Sequence, residues 1–256
     1  MKEFYCLWKA EFIKMKHSGI YRFHLLCPVL ASTIFLAYYL SIEGAAGQSA
    51  FSRLSGLIQA VGILFPVVVS IVCAKGIELE ANSHFQTLLG TAKNKINAFL
   101  AKWTALQVLA LAAVAGTVAL FAAGERLLFK NLEIPLAVYL AEAILLWTGS
   151  IPLYLEHLFL NLRFSKAVSM GVSVVQLLIA ALFLTGLGDG IWQYFPSSWC
   201  ARGSMTGLTR MLWPQARPQS SGQFSGGCGA CVLIGLAICV IMLLWFYFYE
   251  GRVNED

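Results

Sequence analysis

Long apolar runs alternate with short polar segments along almost the whole chain. A helix needs about 20 predominantly apolar residues to cross a bilayer, and unbroken runs of this length indicate membrane helices rather than strands. Six transmembrane helices are predicted, at 20–40, 54–74, 103–123, 134–156, 168–187 and 229–249. The expected fold class is therefore an all-α integral membrane protein.

The predicted spans form one transmembrane domain with no soluble domain attached. Its parts are an interfacial helix at 1–19, spans 1–2 at 20–74, a coupling region at 75–102, spans 3–5 at 103–187, an outer loop at 188–228, and span 6 with the tail at 229–256.

Composition agrees with this interpretation. Of the 256 residues, 59% are hydrophobic and 12% are charged, about half the charged fraction of a soluble domain. The net charge of +5 is explained by the distribution of charge across the membrane. Nucleic-acid binding would need a basic soluble face, and we do not expect it.

The distribution of lysine and arginine predicts the orientation. Six crossings put both termini on one side of the membrane. The segments on that side carry twelve lysines and arginines, and those on the other side carry six. Positive charge is enriched on cytoplasmic segments, so both termini are expected in the cytoplasm.

The first residues combine positive charge with large apolar side chains. Lys2, Lys9 and Lys16 recur every seven residues and share one helical face, with Leu7 and Trp8 between them. This pattern predicts a helix in the membrane interface, its lysines near anionic headgroups. The alternative is a basic tail that only orients the first span.

A patterned polar segment separates the second and third predicted spans. Apolar residues recur at spacings of three and four, and polar residues follow the same rhythm on another face, which predicts an amphipathic helix. A sharp turn at Gly90 and Thr91 leads to a second helix. A plain linker needs only a handful of residues, so we interpret the segment as a docking element for a cytoplasmic partner. The alternative is a solvated surface helix without a partner.

Motifs for catalysis are missing from the sequence. It contains no G-x-x-x-x-G-K-[ST], no H-E-x-x-H and no G-x-S-x-G, the signatures of a P-loop, a zinc protease and a nucleophile elbow. The four histidines are scattered. We therefore expect a protein that is not an enzyme and that binds no metal or cofactor itself.

Three stretches resemble ABC type-2 export permeases, and most closely their lantibiotic-immunity branch. "ELEANSHFQTLLGTAKNKINAFLAK" is similar to the loop between spans two and three of that family. "EFIKMKHSGIYRFHLLCPVL" resembles its basic start and first span, and "IWQYFPSSWCAR" its aromatic outer motif. The residues of the first stretch that match are Glu80, Asn82, Phe85, Gln86, Leu88, Leu89, Lys95, Phe99, Leu100 and Lys102.

The resemblance implies a function and a set of partners. A separate ABC ATPase dimer, holding ATP and Mg²⁺, would bind the 78–91 helix in a groove on the ATPase surface. The chain would pair with a second, similar or identical permease chain in the bacterial cytoplasmic membrane. Its cargo would be a cationic peptide antibiotic of the lantibiotic type, expelled from the membrane to give self-immunity. The residues expected to couple to the ATPase are Glu78, Glu80, Asn82, Phe85, Gln86, Leu88 and Leu89.

Two places are candidates for cargo contact. Glu142 is a carboxylate well inside a predicted span, where charge is costly; it either meets a cationic cargo or packs at a subunit interface. In the outer loop, Trp192, Tyr194 and Trp199 predict short helices on or in the outer leaflet, because such rings favour the interface. These aromatic residues either anchor the loop or capture the peptide.

Two further alternatives stay open. Cys228 and Cys231 either pack as small residues at the mouth of the last span or enter a disulfide, for example with Cys200. The rival function is a non-transporting scaffold or sensor that docks a cytoplasmic partner through residues 77–91.

Overall fold

The computed structural model describes residues 2–16, 18–42, 49–81, 85–90, 93–130, 133–213 and 221–250. All regular secondary structure within these residues is helical. The α-helices are α1 (Lys2–Lys16), α2 (Ile20–Ile42), α3 (Ala50–Ala81), α4 (Lys95–Leu128), α5 (Leu136–Arg163), α6 (Lys166–Leu182), α7 (Ser204–Leu212) and α8 (Ser221–Phe248).

Five helices are long and apolar enough to cross a membrane: α2, α3, α4, α5 and the Gly227–Phe248 part of α8. This confirms an all-helical, multi-pass membrane protein. The fifth predicted span corresponds to α6, whose 17 residues extend about 26 Å at 1.5 Å per residue. That length is somewhat less than the hydrocarbon thickness of about 30 Å.

The two ends of the helix bundle are identified by their contacts. At one end, called the α1 end, α1 packs beside the end of α3 and the start of α4. The Tyr249 hydroxyl, just after α8, donates to the Leu162 carbonyl of α5 at the same end. The opposite end holds the ion pair between Arg53 of α3 and Glu125 of α4, with Nε–Oε1 2.8 Å. The two terminal helices thus reach the same end.

Where the sequence predicted an interfacial helix at 1–19, the structure has α1 at Lys2–Lys16, and α1 packs differently from a helix that only rests on lipid. Glu11 and Met15 of α1 are buried, and Glu11 contacts Lys102 of α4. One face of α1 is therefore part of the protein interior. Its place in the membrane interface stays a prediction.

The chain between α6 and α7 differs most from the sequence-based expectation of an outer loop over 188–228. This re-entrant segment, residues 183–203, contains three short 3-10 turns and a π-helical turn at Trp199–Gly203. Its end lies against Gly62 and Gly149, the thirteenth of 32 residues in α3 and the fourteenth of 28 in α5. The segment therefore reaches the middle of both helices.

Helix α7 then leads back from the middle of the bundle to the end opposite α1. Gly207 of α7 faces Glu142 and Leu145 of α5. The Trp213 ring packs edge-on against Phe51 near the start of α3, with ring centroids 4.5 Å apart. Glycine is required where the backbones meet, because a Cβ on Gly62 would lie 2.5 Å from the Ala201 Cα. The hydropathy profile alone does not predict this path.

Candidate functional site

Four charged side chains from three helices form a cluster at the α1 end. We call this set, Glu11, Lys14, Glu80 and Lys102, the charge cluster. Lys102 Nζ lies 2.6 Å from Glu11 Oε2 and 2.8 Å from Glu80 Oε1. Lys14 Nζ lies 2.7 Å from Glu11 Oε1 and 2.9 Å from Glu80 Oε1. Two cations and two carboxylates alternate, so the set balances its own charge.

Burial makes the charge cluster a structural connection. Glu80 is 0% exposed and Lys102 is 2% exposed. A buried charge that loses its partner is strongly destabilising, whereas an intact pair roughly balances its own desolvation. Because each charge depends on the others, α1, α3 and α4 are expected to move together at this end.

The connection between α3 and α4 contains a compact turn, residues 85–90, rather than the continuous 78–91 helix predicted from the sequence. Helix α3 extends to Ala81, and the turn includes a π-helical piece at Gln86–Gly90. Phe85 has a φ of 58°, outside the range of a right-handed helix. Its N–H donates to the Glu80 carbonyl at 2.8 Å, a bond over five residues of the type that closes a helix C-terminus.

The residues predicted to couple to an ATPase occupy different environments. Glu80 belongs to the buried charge cluster, and Leu88 is 1% exposed. Phe85 and Leu89 are partly buried against the core, whereas Gln86 is exposed. Asn82 lies outside the described residues. The apolar side chains expected to anchor a partner thus pack largely within the chain itself.

Glu78, the remaining residue of that set, points to α6. Its Oε1 lies 2.7 Å from Lys166 Nζ, and both side chains are at least half exposed. An ion pair at such an exposed position contributes little to stability, about 0–1 kcal/mol. It marks where α3 and α6 meet.

The ionisation of Lys14 gives the charge cluster a testable pH dependence. Burial lowers the pKa of Lys14, but Glu11 and Glu80 raise it by more, so this pKa lies above its ordinary value of 10.5. A group whose pKa is raised on folding stabilises the fold below its unfolded pKa, and this contribution is lost as pH rises through the folded pKa.

We therefore expect the difference in thermal midpoint between the wild type and Lys14→Met to be constant up to about pH 9.5 and to shrink above about pH 10.5. Thermal scans by intrinsic fluorescence over this pH series measure it. A difference that disappears already near neutral pH would contradict the assigned contacts.

A second candidate region is a groove of about 420 Å³ between α5, α8 and the re-entrant segment. We call it the aromatic groove. Trp192 and Trp199 line it together with Trp103 of α4. Trp199 is held in place by a hydrogen bond of 3.0 Å from its Nε1 to the Gln193 carbonyl. The lining is predominantly apolar and suits an apolar chain or ring from the membrane.

The other two predicted cargo residues do not line the aromatic groove. Tyr194 is exposed. Glu142 is 0% exposed, and neither of its carboxylate oxygens has a hydrogen-bond partner among the described residues. Its Oε1 lies 3.7 Å from where a Cβ of Gly207 would stand. Glu142 therefore faces the contact between α5 and α7.

The cysteines lie in both buried and exposed positions. All seven are free thiols, and Cys228 and Cys231 line the aromatic groove. Cys200 is fully buried, and its Sγ donates to the Leu146 carbonyl at 3.4 Å. The alternative of a disulfide with Cys200 is therefore not realised.

Sequence reasoning missed a buried polar network between α3, α5 and α6. His157 Nδ1 lies 2.9 Å from Ser169 Oγ, and His157 Nε2 lies 2.9 Å from Gln176 Oε1. Ser169 Oγ also contacts Ser70 Oγ and accepts from Asn161 Nδ2, each at 2.9 Å. The predicted fourth span ended at residue 156, one residue before His157, whereas α5 continues to Arg163.

The other residues missed are Glu11, Lys14 and Lys102 of the charge cluster. The opposite charges of Glu11 and Lys14 at a spacing of three were a local signal for an ion pair on one helical face. Lys102 matched the family pattern and entered the charge count that predicted orientation, but neither use assigned it a partner. Nothing in the sequence links it to a glutamate 91 positions earlier.

Comparison with known proteins does not place the chain in a family. No family model matches the sequence, and neither a curated protein nor a solved structure matches it.

Proposed function

We propose that this chain is the membrane-spanning permease subunit of an ATP-driven ABC exporter. Its cargo is a lantibiotic-type cationic peptide, which it expels from the bacterial cytoplasmic membrane to give self-immunity. The chain works with a second permease chain and with an ATPase dimer that holds ATP and Mg²⁺. Both termini are cytoplasmic, so the α1 end faces the ATPase.

The observation that carries the proposal is the junction of the 85–90 turn with the charge cluster. The turn follows the end of α3, and Phe85 bonds to the carbonyl of Glu80, whose side chain contacts Lys14 of α1 and Lys102 of α4. A force applied to the turn by a partner is passed to three helices at once. An exporter driven by a separate ATPase needs this kind of connection.

The proposal includes six crossings, with α6 and α7 together making the fifth. Helix α6 starts at the α1 end, where Lys166 contacts Glu78. Helix α7 ends where Trp213 meets Phe51 at the opposite end. Broken helices that meet inside the membrane are common in transporters, where their ends surround substrate sites.

The test is purification of the tagged chain from its own membranes, with identification of stoichiometric partners by mass spectrometry. A P-loop ATPase is the expected partner. If a kinase or another signalling enzyme copurifies instead, the chain is a scaffold or sensor rather than an exporter. Absence of any partner would contradict both functions.

A substitution at Gly90 tests the docking position. Gly90 is exposed, and no atom of the described residues lies within 4 Å of the position that its Cβ would take, so Gly90→Trp starts its side chain in open space. We expect it to reduce ATPase recovery at least about tenfold, because a bulky ring at an interface prevents close packing. The recovered ratio of ATPase to permease measures the effect.

The matched control is Gly229→Trp in α8, another exposed glycine whose Cβ position is open. This variant should keep the wild-type ratio. Equal ATPase recovery with both variants would exclude the 85–90 turn as the docking element.

A further inference from the structure

A second groove opens on the surface between α5, α6 and the re-entrant segment, and it contains a carboxylate. Its volume is about 420 Å³, and we call it the Glu156 groove. The walls are formed by the apolar side chains of Val172, Val175 and Ile179 of α6 and by Phe195. Val175 is 56% exposed, so the groove opens on an apolar face of the kind that contacts lipid.

Glu156 lies within α5, one of the helices long and apolar enough to cross a membrane. It is seven residues before Arg163, the last residue of that helix, or about 10 Å along the axis at 1.5 Å per residue. A charged carboxylate at such a depth is costly unless it is paired. Intramembrane ionisable residues generally serve ligand or ion binding for this reason.

No cation of the described residues pairs with Glu156. The lining of the groove contains neither lysine nor arginine. Lys166, at the nearest end of α6, forms its ion pair with Glu78 at 2.7 Å, and Arg163 lies over the Phe164 ring. The carboxylate therefore faces the groove without a counter-charge from the described residues.

The adjacent His157 does not supply that charge. Its ring is fully buried and faces away from the groove, into the polar network. The Gln176 Oε1 can only accept, so the proton lies on His157 Nε2. Ser169 Oγ can then donate to Nδ1, which satisfies the neutral ring that burial favours.

Gln176 connects this network to the groove. The side chain of Gln176 is 8% exposed. Gln176 lines the groove together with Glu156, and with its oxygen bound to His157 its amide N–H groups remain as neutral donors. The groove therefore offers a carboxylate and a neutral donor, with no cation in its lining.

We propose that the Glu156 groove binds the side chain of a lysine from a membrane-bound cationic peptide, with its ammonium group on the Glu156 carboxylate. The apolar stem of lysine matches the valine and isoleucine walls, and its charge matches the single carboxylate. This deepens the proposed function, because it assigns the cargo a recognised group and an entry from the lipid face of α6.

An aminolipid fits the groove less well. Its ammonium group is attached to a phosphate, and no cation lines the groove to pair with that phosphate. Bringing an unpaired anion beside a carboxylate is unfavourable in a low-dielectric environment. A lysine side chain brings a positive charge alone.

The test measures binding of a synthetic leucine–lysine amphipathic peptide to the full chain in phosphatidylcholine nanodiscs, without any ATPase, after subtraction of binding to empty nanodiscs. Wild type is expected to bind this peptide more tightly than its lysine-acetylated form. Glu156→Gln should weaken binding of the lysine peptide at least about tenfold, because a hydrogen bond to a charged group is lost. It should leave binding of the acetylated peptide unchanged.

Two further variants separate the groove from a general effect of charge or folding. Gly171→Leu adds a side chain to the wall of the groove at a position with no atom within 4 Å of the Cβ. This variant should weaken binding of the lysine peptide although Glu156 is unchanged. Glu133→Gln removes an exposed carboxylate outside the groove and should bind like the wild type.

Equal affinity of Glu156→Gln and wild type for the lysine peptide would overturn the proposal. Competition by added phosphatidylethanolamine would also overturn it. If this lipid displaces the peptide from the wild type but not from Glu156→Gln, the occupant is an aminolipid. Because the assay contains no ATPase, its failure leaves the exporter itself standing. If the chain binds the peptide but no ATPase copurifies with it, the exporter function is rejected and the peptide site stands.

Discussion

Lys102→Met is expected to destabilise the protein by about 3–5 kcal/mol, the usual effect of removing one partner from a buried ion pair. Lys102 Nζ contacts carboxylates of both Glu11 and Glu80, at 2.6 and 2.8 Å. After the substitution, two buried carboxylates share the single ammonium group of Lys14. The free energy of unfolding in mixed micelles, from a titration with denaturing detergent, measures the loss.

Removing one charge of each sign separates charge imbalance from loss of packing. In Lys102→Met with Glu80→Gln, Glu11 and Lys14 remain as a balanced pair, 2.7 Å apart. The double variant should therefore be more stable than Lys102→Met alone, because no buried carboxylate is left without a cation. If it is less stable, the charge cluster does not behave as a balanced set.

Lys166→Met is the matched control for these variants. It removes a lysine from an ion pair of similar length, 2.7 Å, at a position where the lysine side chain is 60% exposed. The expected loss in the free energy of unfolding is about 0–1 kcal/mol. A loss as large as that of Lys102→Met would show that burial is not what distinguishes the two lysines.

Gly62→Ala is expected to displace the re-entrant segment, with a loss of stability of about 1–3 kcal/mol or more from overpacking. The new Cβ would lie 2.5 Å from the Ala201 Cα and 2.6 Å from its backbone nitrogen. Backbone atoms cannot rotate aside as the end of a side chain can. The segment must therefore move as a unit from its place in the middle of α3.

Cys200 provides a local measurement of that displacement. Its thiol is fully buried, against the Leu146 carbonyl. In Gly62→Ala it should react with a maleimide much faster than in the wild type, as quantified by mass spectrometry of the peptide that contains it. Gly171→Ala, whose Cβ position is open, should leave the rate unchanged. A protected Cys200 in Gly62→Ala would contradict the observed path of the segment.

The helical segments could largely be predicted because they depend on local composition. A run of apolar residues needs lipid around it and must satisfy its own backbone hydrogen bonds, so it forms a helix. The predicted ends were less accurate. Helices α3 and α4 extend to Ala81 and from Lys95, well into the predicted coupling region, where Glu80 and Lys102 pair with charged residues of α1.

The environment of individual polar residues could not be predicted in the same way. Glu80 and Gln86 were both predicted to couple to an ATPase from the 78–91 helix, yet Glu80 is buried and Gln86 is exposed. The difference arises from Lys14 and Lys102, which reach Glu80 from distant parts of the sequence. Periodicity gives the face of a helix but not the neighbour that covers it.

By itself, the sequence determined that the chain is helical and crosses the membrane several times, because a segment's hydrophobicity decides whether it enters lipid regardless of its neighbours. Only the tertiary structure decided that residues 183–203 reach the middle of the bundle and that Glu156 faces a groove without a counter-charge. The first depends on the close approach of the segment to α3 and α5 at Gly62 and Gly149, and the second on how α6 and the segment lie beside α5. Such contacts join residues far apart in the chain, and no local pattern specifies them.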